Sequence, residues 1–144
     1  MTAPLLLSTL RSGDEGALRE VFVESWRHLT EVVLAMDTEG CSPEVWPLSP
    51  TVVAYRADQP IGFAQLNRGY LERLYVHPAY HGLGAGSLLL SAASALGASA
   101  LEVDEGNGPA RRFYERAGWA WSGGRAPNHN FPERFALTYR RLPS

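Results

Sequence analysis

Between residues 14 and 36, Leu18, Val21, Phe22, Ser25, Trp26, Leu29, Val32, Val33 and Met36 recur every three or four positions. That spacing predicts an amphipathic helix. Ser12 or Asp14 can cap its start, and a break near His28 would divide it in two. Residues 5–10 are apolar and compact and predict a first strand. Residues 51–56 and 61–66 are β-rich and flank a turn at 57–60, which predicts a hairpin. A turn at 67–69 leads into a further strand over 70–76, ended by Pro78. Helical spacing resumes near Gly84, with Ala85, Leu88, Leu89, Ala92 and Leu96 on one face and Gly97 as its stop. A short strand at 99–103 follows. A last helix opens at Pro109, presents Ala110, Phe113, Tyr114 and Ala117 on one face, and closes at Gly118. Strands at 119–121 and 134–141 complete the chain, joined by an irregular segment over 123–132. Residues 37–50 hold Pro43, Pro47 and Pro50 and predict a loop. The order is that of one mixed α/β domain spanning 1–144.

The chain has 144 residues, 45% of them hydrophobic, which is enough for one ordinary core. The longest apolar run is too short to cross a membrane. The start of the chain lacks the basic region of a signal peptide. With a single cysteine, Cys41, there is no internal disulfide and no multi-cysteine metal site. The four histidines, 28, 77, 81 and 129, lack metal-ligand spacing. A reducing cytoplasm and no metal are the expectation. The net charge of −2 argues against nucleic acid as partner.

Charge is uneven along the chain. The first fifty residues hold eight acids (Asp14, Glu15, Glu20, Glu24, Glu31, Asp37, Glu39, Glu44) and three arginines, while the rest holds seven acids and ten arginines. Such asymmetry suits a cationic partner at one end and an anionic one at the other; a solvated surface with chance asymmetry is the plainer alternative.

The sharpest signal is His81-Gly82-Leu83-Gly84-Ala85-Gly86, three glycines where a strand gives way to a helix. Glycine lets backbone N–H groups approach a ligand, and a helix N-terminus carries positive partial charge. Together they form a phosphate cradle. No Gly-Lys-Ser/Thr follows, so it is not a P-loop.

These residues carry a resemblance to the GNAT acetyltransferases, which transfer acyl groups from acyl-CoA to amines. The family signature Gln/Arg-x-x-Gly-x-Gly/Ala stands here as His81 to Gly86, after the family-like Leu74-Tyr75-Val76-His77-Pro78. A later family motif stands as Asn107, Ala110, Phe113, Tyr114, Gly118 and Trp119. Two motifs in order, in strand and helix contexts that fit, carry far more weight than a lone Gly-x-Gly. The likeness covers essentially the whole chain and implies a single GNAT-like domain with a splayed mixed sheet flanked by helices. Histidine at the first signature position departs from the family pattern and implies weaker or more pH-dependent CoA binding.

The resemblance also implies roles. His81, Gly82, Leu83, Gly84, Ala85, Gly86 and Ser87 would hold the CoA diphosphate. Leu74, Tyr75 and Val76 would bind the pantetheine through the backbone and offer an N–H to the thioester carbonyl. Asn107 would contact CoA or cap the last helix. Ala110 and Phe113 would flank the cofactor, Phe113 chiefly by packing. Tyr114 would protonate the departing thiolate, since its phenol keeps a proton at neutral pH. Glu72 is the candidate general base, placed by strand alternation on the face of Leu74 and Val76; Glu24 is a second candidate, and a surface salt bridge is the plainer role. Trp26, Trp46, His129 and Phe131 are candidates for the acceptor site. The implied activity is acetyl transfer from acetyl-CoA to a primary amine without a covalent intermediate, in a chain that can form a homodimer. A non-catalytic acyl-CoA sensor and an enzyme for longer acyl-CoAs are the alternatives.

Overall fold

The computed structural model describes residues 3–36 and 49–143; Cys41, Trp46 and the acids Asp37, Glu39 and Glu44 lie outside them. Among the described residues, seven strands and three α-helices follow in the order β1 (Leu5–Ser8), α1 (Glu15–Arg27), β2 (Val52–Arg56), β3 (Gln59–Asn67), β4 (Tyr70–Val76), α2 (Ala85–Ala95), β5 (Ala100–Asp104), α3 (Gly108–Arg116), β6 (Trp119–Pro127) and β7 (Phe135–Arg141). A π-helical turn, His28–Val33, continues α1, and a 3₁₀ turn, Pro78–Tyr80, precedes α2.

The strands form one mixed sheet in the order β1-β2-β3-β4-β5-β7-β6. Neighbours are antiparallel except β4 and β5, which are parallel and pair only at Tyr70–Ala100 and Leu71–Leu101. Beyond Leu71 the two strands diverge, so the sheet is splayed at its centre.

Period-two alternation builds a core on each face. In β2, Val53 and Tyr55 turn toward α1 and pack with Leu18, Val21, Phe22, Trp26 and Phe63. Val52 and Ala54 turn the other way, toward Leu89, Leu90 and Ala93 of α2 and Tyr114 of α3. The hairpin between β2 and β3 turns at Ala57-Asp58, which leaves Pro60 inside β3, where the register shifts at Tyr55; prolines enter strands at such bulges.

Several elements differ from the sequence reading. In α2 the buried row is Ala85, Leu89, Leu90 and Ala93, while Leu88 and Leu96 are 41% and 60% exposed. The sheet-facing seam follows every fourth residue, which turns those two leucines outward. Ala117 lies just past α3 and is also exposed. Asp14 stands at the N-cap position of α1 without a side-chain cap; its carboxylate instead accepts from the Tyr55 hydroxyl at 2.8 Å. The break at His28 takes the form of π-helix, where Thr30 Oγ1 donates back to the Trp26 carbonyl at 3.0 Å, a bond that commonly bends helices. β6 runs on to Pro127, with an irregularity between Trp121 and Arg125. The Gly123-Gly124 pair that looked like the end of a strand accommodates a bulge, and the ladder resumes at Arg125.

Candidate active site

The gap between β4 and β5 opens onto a cavity of about 540 Å³, within the range of small-molecule sites. His77 N–H bonds to Ile61 O of β3. By the alternation of an antiparallel ladder, the backbone groups of Tyr75 also face β3, while those of Leu74 and Val76 face the gap. Leu74, Tyr75 and Val76 all line the cavity.

The glycine-rich turn forms the far wall. Gly82 and Gly84 have φ of +83° and +87°, and a Cβ at either would meet nothing within 4 Å. Glycine is thus needed there for conformation, and the space it leaves is open. Gly86 is different: its Cβ would come 3.4 Å from Phe113 Cζ, so it lets α2 approach α3. His81, Ala85, Gly86 and Ser87 line the same cavity, as do Asn107, Ala110, Phe113 and Tyr114 from the α3 side. Of the residues from His81 to Ser87, only Leu83 stays outside it, 38% exposed; His77, Pro78, Gly118 and Trp119 of the two motifs do not line it either. Asn107 Oδ1 accepts from Ala110 N–H at 3.2 Å and so caps α3 while bordering the cavity.

Tyr114 is 8% exposed and packs on Phe113, Trp119 and Tyr139. Burial drives its phenol pKa well above the ordinary tyrosine value, and neighbouring Tyr75 adds to the rise. Its proton is therefore held across any working pH.

Glu72 is not placed by alternation. The β3–β4 register passes from Gln65–Arg73 to Leu66–Leu71, which leaves Glu72 as the extra residue of a bulge. Leu71, Leu74 and Val76 therefore share the α2 side, and Glu72 does not lie with them. It is exposed, does not line the cavity, and accepts from Gln65 Nε2 at 3.3 Å and Asn67 Nδ2 at 3.1 Å. Near it, the Tyr70 phenol lies beside Glu102 of β5. Burial raises the Tyr70 pKa, and the charges of Glu102 and Glu72 push it further up. Glu102, a carboxylate that sequence reasoning passed over, is thus joined to the same polar patch, and His129 Nε2 lies 4.0 Å from it. The short strand 99–103 was legible, but nothing marked Glu102 apart from a solvated position.

Glu24 is paired with Arg27 at 2.9 Å. Trp26 and Phe131 stack at 5.2 Å between ring centroids. Of the arginines around the second motif, Arg116 lines the cavity, whereas Arg111 bonds to the Tyr139 hydroxyl and Glu105 carbonyl. Ser25, His28, Leu29 and Val33 line the cavity from α1 and its π turn. Ser25 Oγ donates to Val76 O at 3.2 Å. A buried serine on an apolar helical face was the available signal for it.

Among the described residues no group of three or more His, Cys, Asp or Glu is arranged to hold a metal, and no helix is long and apolar enough to cross a membrane.

Three solved structures show what this fold resembles. Apo YjaB from Escherichia coli aligns with a TM-score of 0.74 at 21% identity, over 98% of this chain and 99% of its own. PaiA N-acetyltransferase from Thermoplasma acidophilum, in complex with coenzyme A, aligns at 0.64 and 18% identity, over 95% and 99%. YncA from Salmonella typhimurium, with its cofactor acetyl-CoA, aligns at 0.63 and 16% identity, over 99% and 96%. No curated protein matches in sequence. The acetyltransferase (GNAT) domain family matches residues 47–120, just over half of the chain and the stretch that holds the gap, the cradle and Tyr114. The chain belongs to the GNAT acetyltransferase family.

Proposed function

We propose that this protein transfers an acetyl group from acetyl-CoA to a primary amine by direct attack. The observation that carries the reading is the meeting of both motifs, the free edge of β4 and buried Tyr114 around one cavity. The presence of CoA in PaiA and of acetyl-CoA in YncA supports the same co-substrate here.

In this reading the cradle amides from Gly82 to Ser87 bind the diphosphate. The β4 edge aligns the pantetheine, and an N–H of Leu74 or Val76 meets the thioester oxygen as it gains charge. The amine nitrogen bonds to the carbonyl carbon, the carbon–sulfur bond breaks, and Tyr114 supplies a proton to the thiolate. Glu72 takes the amine's proton, through water given its exposed position. Glu102 is the second candidate, favoured by its place beside Tyr70 and Glu72.

The test is an acetylation assay over a panel of amines with mass readout. Mass gain of one acetyl group on an amine, with release of free CoA thiol, is the expected result. Tight acetyl-CoA binding without turnover on any amine or peptide would favour the sensor module. Faster turnover with longer acyl-CoAs would revise the donor.

A further inference from the structure

We propose that His28 and His81 together form an anion clamp at the cavity wall, one that takes up a proton when the cofactor's diphosphate binds. The proposal rests on the CoA reading and adds to it a residue from α1 that neither motif contains.

The two rings meet edge to face, with centroids 5.3 Å apart and planes at 86°. Both line the cavity beside Gly82 and Gly84. One carbonyl fixes the arrangement: Val76 O receives Ser25 Oγ at 3.2 Å and His81 Nε2 at 3.0 Å. Helix α1 and the glycine turn are thus pinned to the same point of β4. His28 lies one turn beyond Ser25, which brings it against His81.

The bond to a carbonyl requires the hydrogen of neutral His81 on Nε2, so Nδ1 is the nitrogen left to accept a proton. Burial lowers the pKa of His28, and the charge of His81 lowers it further. His28 therefore resists charging while the site is empty. A diphosphate removes that resistance, because two negative charges beside the rings favour the imidazolium form.

The surrounding groups leave the pair as the source of the effect. On α1, Glu24 and Arg27 neutralise each other at 2.9 Å, and Glu31 of the π turn is exposed. On the β4 side, His77 Nδ1 is engaged by Ala79 N–H, and its ring rests on Tyr80. Burial raises the phenol pKa values of Tyr75 and Tyr114. Arg116, from α3, lines the same cavity. Among the described residues no carboxylate is hydrogen-bonded or ion-paired to either ring.

The test is calorimetric binding of dephospho-CoA from about pH 6 to about pH 8, in buffers of different ionisation enthalpy. Dephospho-CoA keeps the diphosphate and lacks the 3′-phosphate, a monoester of the kind that itself titrates near pH 6. The dissociation constant of the wild type should rise with pH, by up to about tenfold per pH unit for each proton taken up. His28→Gln and His81→Gln should each reduce the slope, and the double variant should bind with a flat profile. Pantetheine, which has no diphosphate, should bind the wild type without pH dependence. Tight binding that is flat with pH, an unchanged slope in the double variant, or an equal slope with pantetheine would overturn the clamp and leave the cofactor reading intact. Absence of binding by CoA and dephospho-CoA to folded protein at every pH would overturn both.

Discussion

Arg134 grips Asp104 through two hydrogen bonds, Nε to Oδ2 and Nη2 to Oδ1, each 2.9 Å. Asn128 Nδ2 and the Gly106 N–H complete the shell of this buried carboxylate. The cluster ties the turn after β5, which leads to Asn107 and α3, to the segment between β6 and β7. Burial alone would raise the Asp104 pKa, but Arg134 and the other donors more than offset it and hold the carboxyl below its ordinary value. A lowered folded-state pKa gives stability that is present above the unfolded value and lost as pH falls through the folded one.

Asp104→Asn should therefore cost about 1.5–3 kcal/mol at neutral pH, the range for hydrogen bonds to charged groups. Urea unfolding measures it. The wild type should weaken below about pH 4, and the variant should show a smaller loss over that interval. A cost under about 1 kcal/mol would mean that Arg134 finds solvent as good a partner.

Tyr114→Phe removes one hydroxyl and keeps the ring in its aromatic cluster. Turnover should fall roughly tenfold to a thousandfold, bracketing the range of general acid catalysis, with acetyl-CoA affinity little changed. Because the phenol pKa is raised, the wild type should show no loss of this function up to about pH 10. Equal turnover in single-turnover experiments, where release steps drop out, would leave Tyr114 a packing residue.

The Gly84 position points open space at the cradle. At about 100 times its dissociation constant, acetyl-CoA should stabilise the wild type by about 2.7 kcal/mol. Gly84→Glu places a carboxylate where the diphosphate would lie and should abolish that thermal shift. Circular dichroism checks that the variant folds, since its φ of +87° also strains a side chain. A folded variant with the full shift would remove the diphosphate from the cradle.

Glu72→Gln and Glu102→Gln separate the two candidate bases. Glu72→Gln should lower turnover by about a hundredfold at neutral pH, and the loss should shrink as pH rises and more amine is already deprotonated. If only Glu102→Gln behaves so, the proton passes through the β5 carboxylate.

Charge provides a further expectation. Glu15, Glu20 and Glu31 are exposed on the first helical region, so they act as a surface field rather than as contacts. A cationic amine should be the better acceptor, with an efficiency that declines as added salt shortens the Debye length to about 3 Å at 1 M. A best acceptor that is anionic, or one indifferent to salt, would sink this expectation.

The sequence made the repeating elements and the cradle legible, because glycine at positive φ and the helical spacing of α1 are local signals. Leu74 to Val76, His81 to Ser87 except Leu83, and Asn107, Ala110, Phe113 and Tyr114 line one cavity. What escaped was set by long-range geometry. The bulge that displaces Glu72 depends on how β3 pairs with β4. The rotation of α2 depends on which row the sheet accepts. His28 gained significance only when Ser25 anchored α1 to Val76, a contact between positions 51 residues apart.

Two residue pairs are all that join β4 to β5. In terms of fluctuation, the domain has a seam, held at one end by those pairs and by the backbone bonds of Ser99 and Ala100 to Gly69 O. An extended amide-bearing ligand in the gap would act as a temporary strand, supplying partners to the backbone groups of Leu74 and to the Val76 N–H, since the Val76 carbonyl already receives Ser25 and His81. Amide hydrogen exchange along that edge of β4 should then slow when the site fills, while the β3-facing amides of Tyr75 and His77 change less. Occupancy of the seam would thus be readable as a local gain in protection.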